Sequence, residues 1–267
     1  MTWTIREAAG SDLDAIAGLS AASRRRLAGW SPVWWRQAAG ADDLHPFWLR
    51  HLLHSDGPVV RVVDEGGTVV GCAVSMPQPD QWFVDDVALV GDGRWADAGV
   101  ALFEAVAERP ALTCVPTADL ARAHAARAAG LRPVSSYWIR ATEPDGTATV
   151  GTSLDGLDVA AAPPHSFGGG LDPGAAGALV LVDDTGGLVV GSPSSPAPPV
   201  YDPGGPVCVV DRVTGPNRGG LLRAALAATG RRGDVLLTVV AAEDDDELRR
   251  LLGEAGFERT VDVHAWP

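Results

Sequence analysis

Two adjacent carboxylates, Asp85 and Asp86, sit within the apolar stretch of residues 82–90. Successive side chains of an extended strand point to opposite faces, so one of the pair must turn towards the interior or a cleft. A carboxylate in an apolar setting has its pKa raised and can take and return a proton; the plainer reading pairs it with an arginine or a backbone N–H. Asp211, at the matching end of the later apolar run 206–211, offers the same chemistry. Directly after the first stretch come Arg94, Trp95, Ala96, Asp97, Ala98 and Gly99, then Val100, Phe103, Val106 and Ala107 at helical spacing. A strand that runs into a helix start leaves backbone N–H groups unpaired, which suits a phosphate.

Other chemistries find no support. His45, His51 and His54 crowd one helical region without ligand spacing, and His124 reads as a surface or packing histidine. There is no Gly-x-Ser-x-Gly elbow, no His-Glu-x-x-His helix and no phosphate loop ending in Gly-Lys, because the chain has no lysine. Cys72, Cys114 and Cys208 fall in apolar strands, lack Cys-x-x-Cys spacing and read as reduced packing groups. No metal site is expected. The formal charge of −13 repels polyanions, so nucleic acid and anionic membranes are not expected partners and a cationic substrate fits better. With no basic leader and no run of eighteen apolar residues, the expected location is the cytoplasm.

The elements that must hold these residues are legible in order. A strand at 2–7 precedes a helix capped by Ser11 that runs into Arg24, Arg25 and Arg26. Ser31-Pro32 opens a short helix through Trp34 and Trp35, and a third helical segment spans residues 42–54. The tryptophans of this region read as core anchors or as walls of a substrate cleft. Strands at 59–63 and 68–76 are joined by the turn Asp64-Glu65-Gly66-Gly67. After the strand and helix described above come a strand at 111–115, a helix at 118–129 capped by Thr117, and a last strand at 134–141. Residues 142–177 turn rich in Gly, Ala and Pro and read as a linker.

The second half then repeats the first. Residues 63–71 align on 182–191 with one extra turn residue, 89–102 on 209–222 without gaps, and 120–130 on 246–256. The chain therefore divides into a domain at 1–141, the linker, and a shortened copy at 178–267.

Strand, loop, helix, strand, a helix ending in Ala129-Gly130-Leu131 or Ala255-Gly256-Phe257, final strand: in this order the chain resembles the GCN5-related N-acetyltransferases, in tandem. The resemblance implies an α/β (α+β) fold with a mixed, mostly antiparallel sheet flanked by helices. It also implies a loop of the form Gln/Arg-x-x-Gly-x-Gly/Ala that holds the pyrophosphate of acetyl-coenzyme A, and a fourth strand splayed from the fifth to admit pantetheine. Carried over here, the cofactor side consists of Val87, Ala88 and Leu89 with Arg94, Trp95, Ala96, Asp97, Ala98, Gly99 and Val100. Arg94 and Gly99 match the pattern, whereas Asp97 replaces its central glycine and Trp95 stands where family members frequently carry a further glycine. A carboxylate about 4 Å from a phosphate costs roughly 4 kcal/mol at an effective dielectric near 20; Asp97 could instead turn outward as a helix cap. In the second copy Thr214, Asn217 and Gly219 take the equivalent places, beside Arg218.

The family's acid tyrosine has no counterpart, since Ala126 and Leu252 stand at its positions. The expected catalytic residues are Asp85 or Asp86 as base and Tyr137, on the final strand of the first half, as a group reaching the thiol. The function so implied is acetyl-coenzyme A-dependent N-acetylation of a small amine. The alternative is an inactive relative kept as a coenzyme A sensor or protein-binding module. A homodimer is compatible with either.

Overall fold

The structure is a computed structural model and describes residues 2–31, 33–106, 110–142, 178–194 and 200–266. Pro32, Ala107 and all but the first residue of the expected linker lie outside the described residues. The chain forms two compact units: Met1–Pro133 with Ala197–Asp202 and Asp262–Pro267, and Val134–Pro196 with Pro203–Val261.

In the first unit the strands are β1 (Thr4–Glu7), β2 (Val59–Glu65), β3 (Thr68–Pro77), β4 (Trp82–Leu89) and β5 (Ala111–Pro116). They lie in that spatial order, antiparallel up to the parallel β4–β5 pair. Helices α1 (Leu13–Trp30) and α2 (Ala41–His54) cover one face, where Ile16, Leu49 and Leu52 pack on Val60, Val62, Cys72 and Ala88. Helices α3 (Val100–Val106) and α4 (Leu120–Ala128) cover the other, where Leu102, Phe103 and Ala126 pack on Val63, Ala73, Val84, Val87 and Leu89. Residues 70–75 of β3 are buried without a break, as a sheet covered on both faces requires. The β2–β3 turn forms as the sequence predicts: Gly66 and Gly67 have φ of 62° and 88°, and the Asp64 carboxylate accepts the Gly67 N–H at 2.7 Å.

The second unit holds β6 (Arg132–Ala141) from Val134 on, β7 (Leu179–Val182), β8 (Leu188–Ser194), β9 (Val207–Thr214), β10 (Leu236–Ala242) and the start of β11 (Glu258–Trp266). Their order is β11-β6-β10-β9-β8-β7, with β9 and β10 parallel. Helices α5 (Arg218–Arg232) and α6 (Asp246–Glu254) bury Leu221, Leu222, Leu248 and Leu252 against it. Asp183 repeats the turn chemistry of Asp64, accepting the Gly187 N–H at 2.7 Å. Among the described residues this unit has no counterpart of α1 and α2, so it is the shorter copy.

Three details depart from the sequence reading. The two units are not the contiguous stretches 1–141 and 178–267: Val134–Ala141 pairs antiparallel along β10 in the second unit, and the chain's last residues join the first, where Trp266 Nε1 donates to Ala129 O at 2.8 Å. The expected short helix at 31–40 is a turn, because the backbone of 36–38 bonds instead to 200–202: Ala38 N–H to Val200 O at 2.9 Å and Asp202 N–H to Arg36 O at 2.8 Å. The expected caps also differ: α4 is capped by Asp119, which accepts from Arg122 N at 3.1 Å, and not by Thr117, and the N-cap position of α1 is Asp12 and not Ser11. No helix of the described residues is long and apolar enough to cross a membrane.

Candidate functional site

The first unit's sheet opens along β4. Its parallel pairing with β5 runs from Trp82–Ala111 through Phe83–Leu112 to Val84–Thr113 and stops there. On the other side β4 stays paired with β3 as far as Leu89, but Asp85 and Asp86 together face the single residue Val74. Such a β-bulge bends the strand and re-aims side chains. Its effect on facing is visible, since Val84 and Val87, three apart, pack on the same face. Further along, Gly71 leaves room for the Leu89 side chain opposite it, because a Cβ there would lie 2.3 Å from Leu89 Cδ2. Beyond Val84 the β5-facing edge of β4 is a row of backbone donors and acceptors without a strand partner, over Val87, Ala88 and Leu89.

The same device recurs in the second unit. β9 pairs with β10 from Val207 to Val210 and then parts from it, and Asp211 is the extra residue of a bulge against β8.

Asp86 turns to the α1–α2 face, where its Oδ2 lies 2.8 Å from His45 Nε2. His45 is 2% exposed and its Nδ1 has no partner among the described residues. Asp86 accepts this hydrogen bond from the His45 Nε2–H. Arg24, also 2% exposed, bonds Asp42 Oδ1 through Nη2 at 2.7 Å, and its Nε and Nη1 have no partner among the described residues. Arg122, buried on α4, donates through Nη2 to the Asp85 carbonyl at 3.4 Å.

These neighbours separate two half-buried carboxylates. Burial, then the charge of Asp86, pushes Asp85 up to about 7 against the pull of Arg122. For Asp86 burial acts in the same direction, but the His45 hydrogen bond and the charges of His45, Arg24 and Arg122 outweigh it and bring it down. The pair therefore shares one proton near neutrality, held on Asp85. Burial pushes the thiols of Cys72, Cys114 and Cys208 up, so none is a ready nucleophile.

Tyr201 reaches this unit from the second half of the sequence. It forms an isolated bridge with Gln37, and its ring lies edge-on to Trp35 at 5.1 Å, with Trp34 at 6.1 Å from Trp35. Burial, then the charges of Asp86 and Asp85, pushes its hydroxyl up. Tyr137, by contrast, is on β6 in the second unit, opposite Val240 of β10, so the structure does not bring it into one unit with Asp85 and Asp86.

The expected phosphate loop is built differently. After Asp92–Arg94, a π-helical turn spans Trp95–Gly99 and leads into α3. Arg94 is committed elsewhere, to Glu65 Oε2 at 2.8 Å and Val90 O at 2.9 Å. Trp95, 1% exposed, fills the core, and Gly99 gives it space, since a Cβ there would meet Trp95 Cε3 at 2.7 Å. Asp97 is exposed and its Oδ1 lies 2.5 Å from the Ala98 N–H; Ala96 is exposed, Ala98 buried and Val100 half-buried. In the second unit Asn217 caps α5 through Gly220 N, and Arg218 pairs with Asp245 at 2.6 Å and with Glu247. The residues present thus fit the pantetheine arm of an acyl thioester, which can bond an unpaired strand edge, and not its diphosphate.

Sequence reasoning missed Arg24, His45, Arg122 and Tyr201. A signal existed for two of them. Arg24 shares the buried face of α1 with Leu13, Ile16, Ser20 and Leu27, and His45 that of α2 with Ala41, Leu49 and Leu52. A charge at the apolar spacing of a helix is a marker of a buried polar site. Tyr201, in a Pro-rich stretch, carried none.

No protein-family model matches the chain, and no curated protein matches it. Among solved structures, a GCN5-related N-acetyltransferase from Sphaerobacter thermophilus superposes with a TM-score of 0.54 at 18% identity, covering 98% of this chain and 95% of that one. A tandem protein of the same family from the clavulanic acid biosynthesis pathway gives 0.46 at 16% identity, with 99% and 98% covered. The ribosomal-protein-S18-alanine N-acetyltransferase of Escherichia coli gives 0.36 at 15%, over 55% of this chain and 86% of its own. The first of these establishes the fold as that of the GCN5-related N-acetyltransferases, and the repeated strand, bulge and helix order makes it a tandem of two.

Proposed function

We propose that the first unit is an N-acetyltransferase domain that passes an acetyl group from a thioester to a small cationic amine, with Asp85 as general base. The observation that carries this is the parting of β4 from β5 beyond Val84 and Thr113, with a bulge placing a carboxylate of pKa about 7 at the head of the opening. An acetyl thioester bound there supplies an activated acyl carbon and a thiol leaving group of ordinary pKa near 8.5, which can depart without a dedicated acid. This replaces the role expected of Tyr137.

The chain's own residues divide the remaining work. The free edge of Val87, Ala88 and Leu89 offers main-chain bonds to an extended ligand, as in strand addition. Asp85, ionised above about pH 7, accepts the proton that an ammonium must lose before it can attack. Asp86 stays ionised through His45 and Arg24; its charge attracts the cation and keeps Asp85 basic. Trp35 and Tyr201 offer ring faces and edges suited to the amine's alkyl body.

The test is thiol release from acetyl-coenzyme A and acetylpantetheine across a panel of small amines, followed against pH. Turnover should rise through about pH 7, and Asp85→Asn should lower it by about a hundredfold or more. A second reading, a protein that does not turn over, is favoured by the loop, where Arg94 and the Ala98 amide are already bonded within the chain. Absence of thiol release with every amine would select it.

A further inference from the structure

We infer that this unit recognises its acyl donor through the pantetheine arm alone, the nucleotide end of coenzyme A adding no affinity. The inference rests on the acyltransfer reading above and narrows its donor to pantetheine thioesters as a class.

Four features of the 92–100 segment point the same way. A diphosphate needs a cation, free amides and room. The nearest cation, Arg94, is held between a carboxylate and a carbonyl, and releasing it would leave half-buried Glu65 unpaired. The Ala98 amide already faces a carboxylate of its own chain. Trp95 directs the largest side chain of the segment into the core, so the backbone cannot tighten into a glycine cradle without emptying that space. Asp92 and Asp97, both exposed, add negative charge to the segment itself, and Arg26, the cation paired with Asp92 at 3.2 Å, also faces Asp119. The β4 edge just upstream of this segment carries no such commitment: among the described residues, Val87, Ala88 and Leu89 have no strand partner on the β5 side. The strand edge that an extended arm could pair with is unpaired, while the nucleotide's cradle is filled from within.

Calorimetric titration of the full chain with coenzyme A, 4′-phosphopantetheine and pantetheine reads this directly, with 3′,5′-adenosine diphosphate as competitor. Dissociation constants for the three thiols should agree within about threefold, and the nucleotide should not compete. Coenzyme A bound about tenfold or more tightly than phosphopantetheine, or displaced by the nucleotide, would overturn the inference while leaving acyltransfer intact. Failure of all three thiols to bind would instead remove the acyltransfer reading, and the inference with it. A double variant, Glu65→Gln with Asp97→Ala, frees Arg94 and the Ala98 amide and removes two charges. It should gain about tenfold for coenzyme A and nothing for pantetheine. Equal gains for both ligands, or a gain for neither, would show that these contacts are not what excludes the nucleotide.

Discussion

Replacing Asp86 by Asn isolates the interaction that sets the basicity of Asp85. The amide keeps an oxygen for the His45 Nε2–H, so the hydrogen bond at 2.8 Å survives while the charge goes. Two unit charges about 5 Å apart at an effective dielectric near 20 repel by roughly 3 kcal/mol, which bounds the effect at about two pH units. Burial is the larger of the two causes that lift Asp85 from 3.8 to about 7, so Asp86 accounts for the smaller part. The midpoint of the acidic limb of kcat/KM should therefore fall from about 7 by about one unit. Carbon-13 titration of labelled Asp85 gives the same quantity without reference to turnover. A midpoint that stays at 7 or rises in both measurements would refute the argument, because it would mean that burial alone holds the proton.

Three further outcomes follow from the same geometry. The Asp85 carboxyl is protonated more readily in the folded than in the unfolded chain, so its support for folding is full below about 3.8 and is lost as pH rises through about 7. Asp85→Asn should consequently melt higher than the parent at pH 8, by about 1–2 kcal/mol after allowance for its partial exposure, and show no gain near pH 4 in thermal denaturation. Gly191→Ala should destabilise the second unit by about 1–3 kcal/mol in urea unfolding, because its Cβ would lie 2.8 Å from the Val209 carbonyl oxygen, which cannot move aside. Trp266→Phe should cost about 1–3 kcal/mol by the same measurement, since it strands the Ala129 carbonyl, now bonded at 2.8 Å in a buried setting.

Most of the fold was legible because its signals are local. The turn at Asp64–Gly67 depends on two glycines and one carboxylate within four residues, and its copy at Asp183–Gly187 repeats them. Asp85 and Asp86 were legible for the same reason, as charges where the strand pattern calls for apolar side chains. What escaped depends on partners distant in sequence. Nothing near Tyr137 says that β6 pairs with β10, a hundred residues on, and nothing near Gln37 announces the bridge to Tyr201. The loop was legible by position but not by content: Arg94 occupies the expected place, and only Glu65, on another strand, decides that its charge is spent.

The duplication separates what the two opened strands share from what is particular to the first unit. Both units break the β4–β5 type of pairing after a few residues, and both put an aspartate at the bulge where the strands part. In the second unit Asp211 is 3% exposed and is pushed up to about 6 by burial alone, with Oδ1 lacking a partner among the described residues. A bulge aspartate is thus a property of the shared strand, and its raised pKa needs nothing beyond desolvation. What only the first unit possesses is a second carboxylate held ionised beside it, and the groups that do so, Arg24 and His45, come from α1 and α2. Those are the helices that the second unit lacks among its described residues. On the proposed acyltransfer reading, the groups that would tune proton transfer therefore come from the two helices laid over the first sheet, while the opened strand is common to both copies.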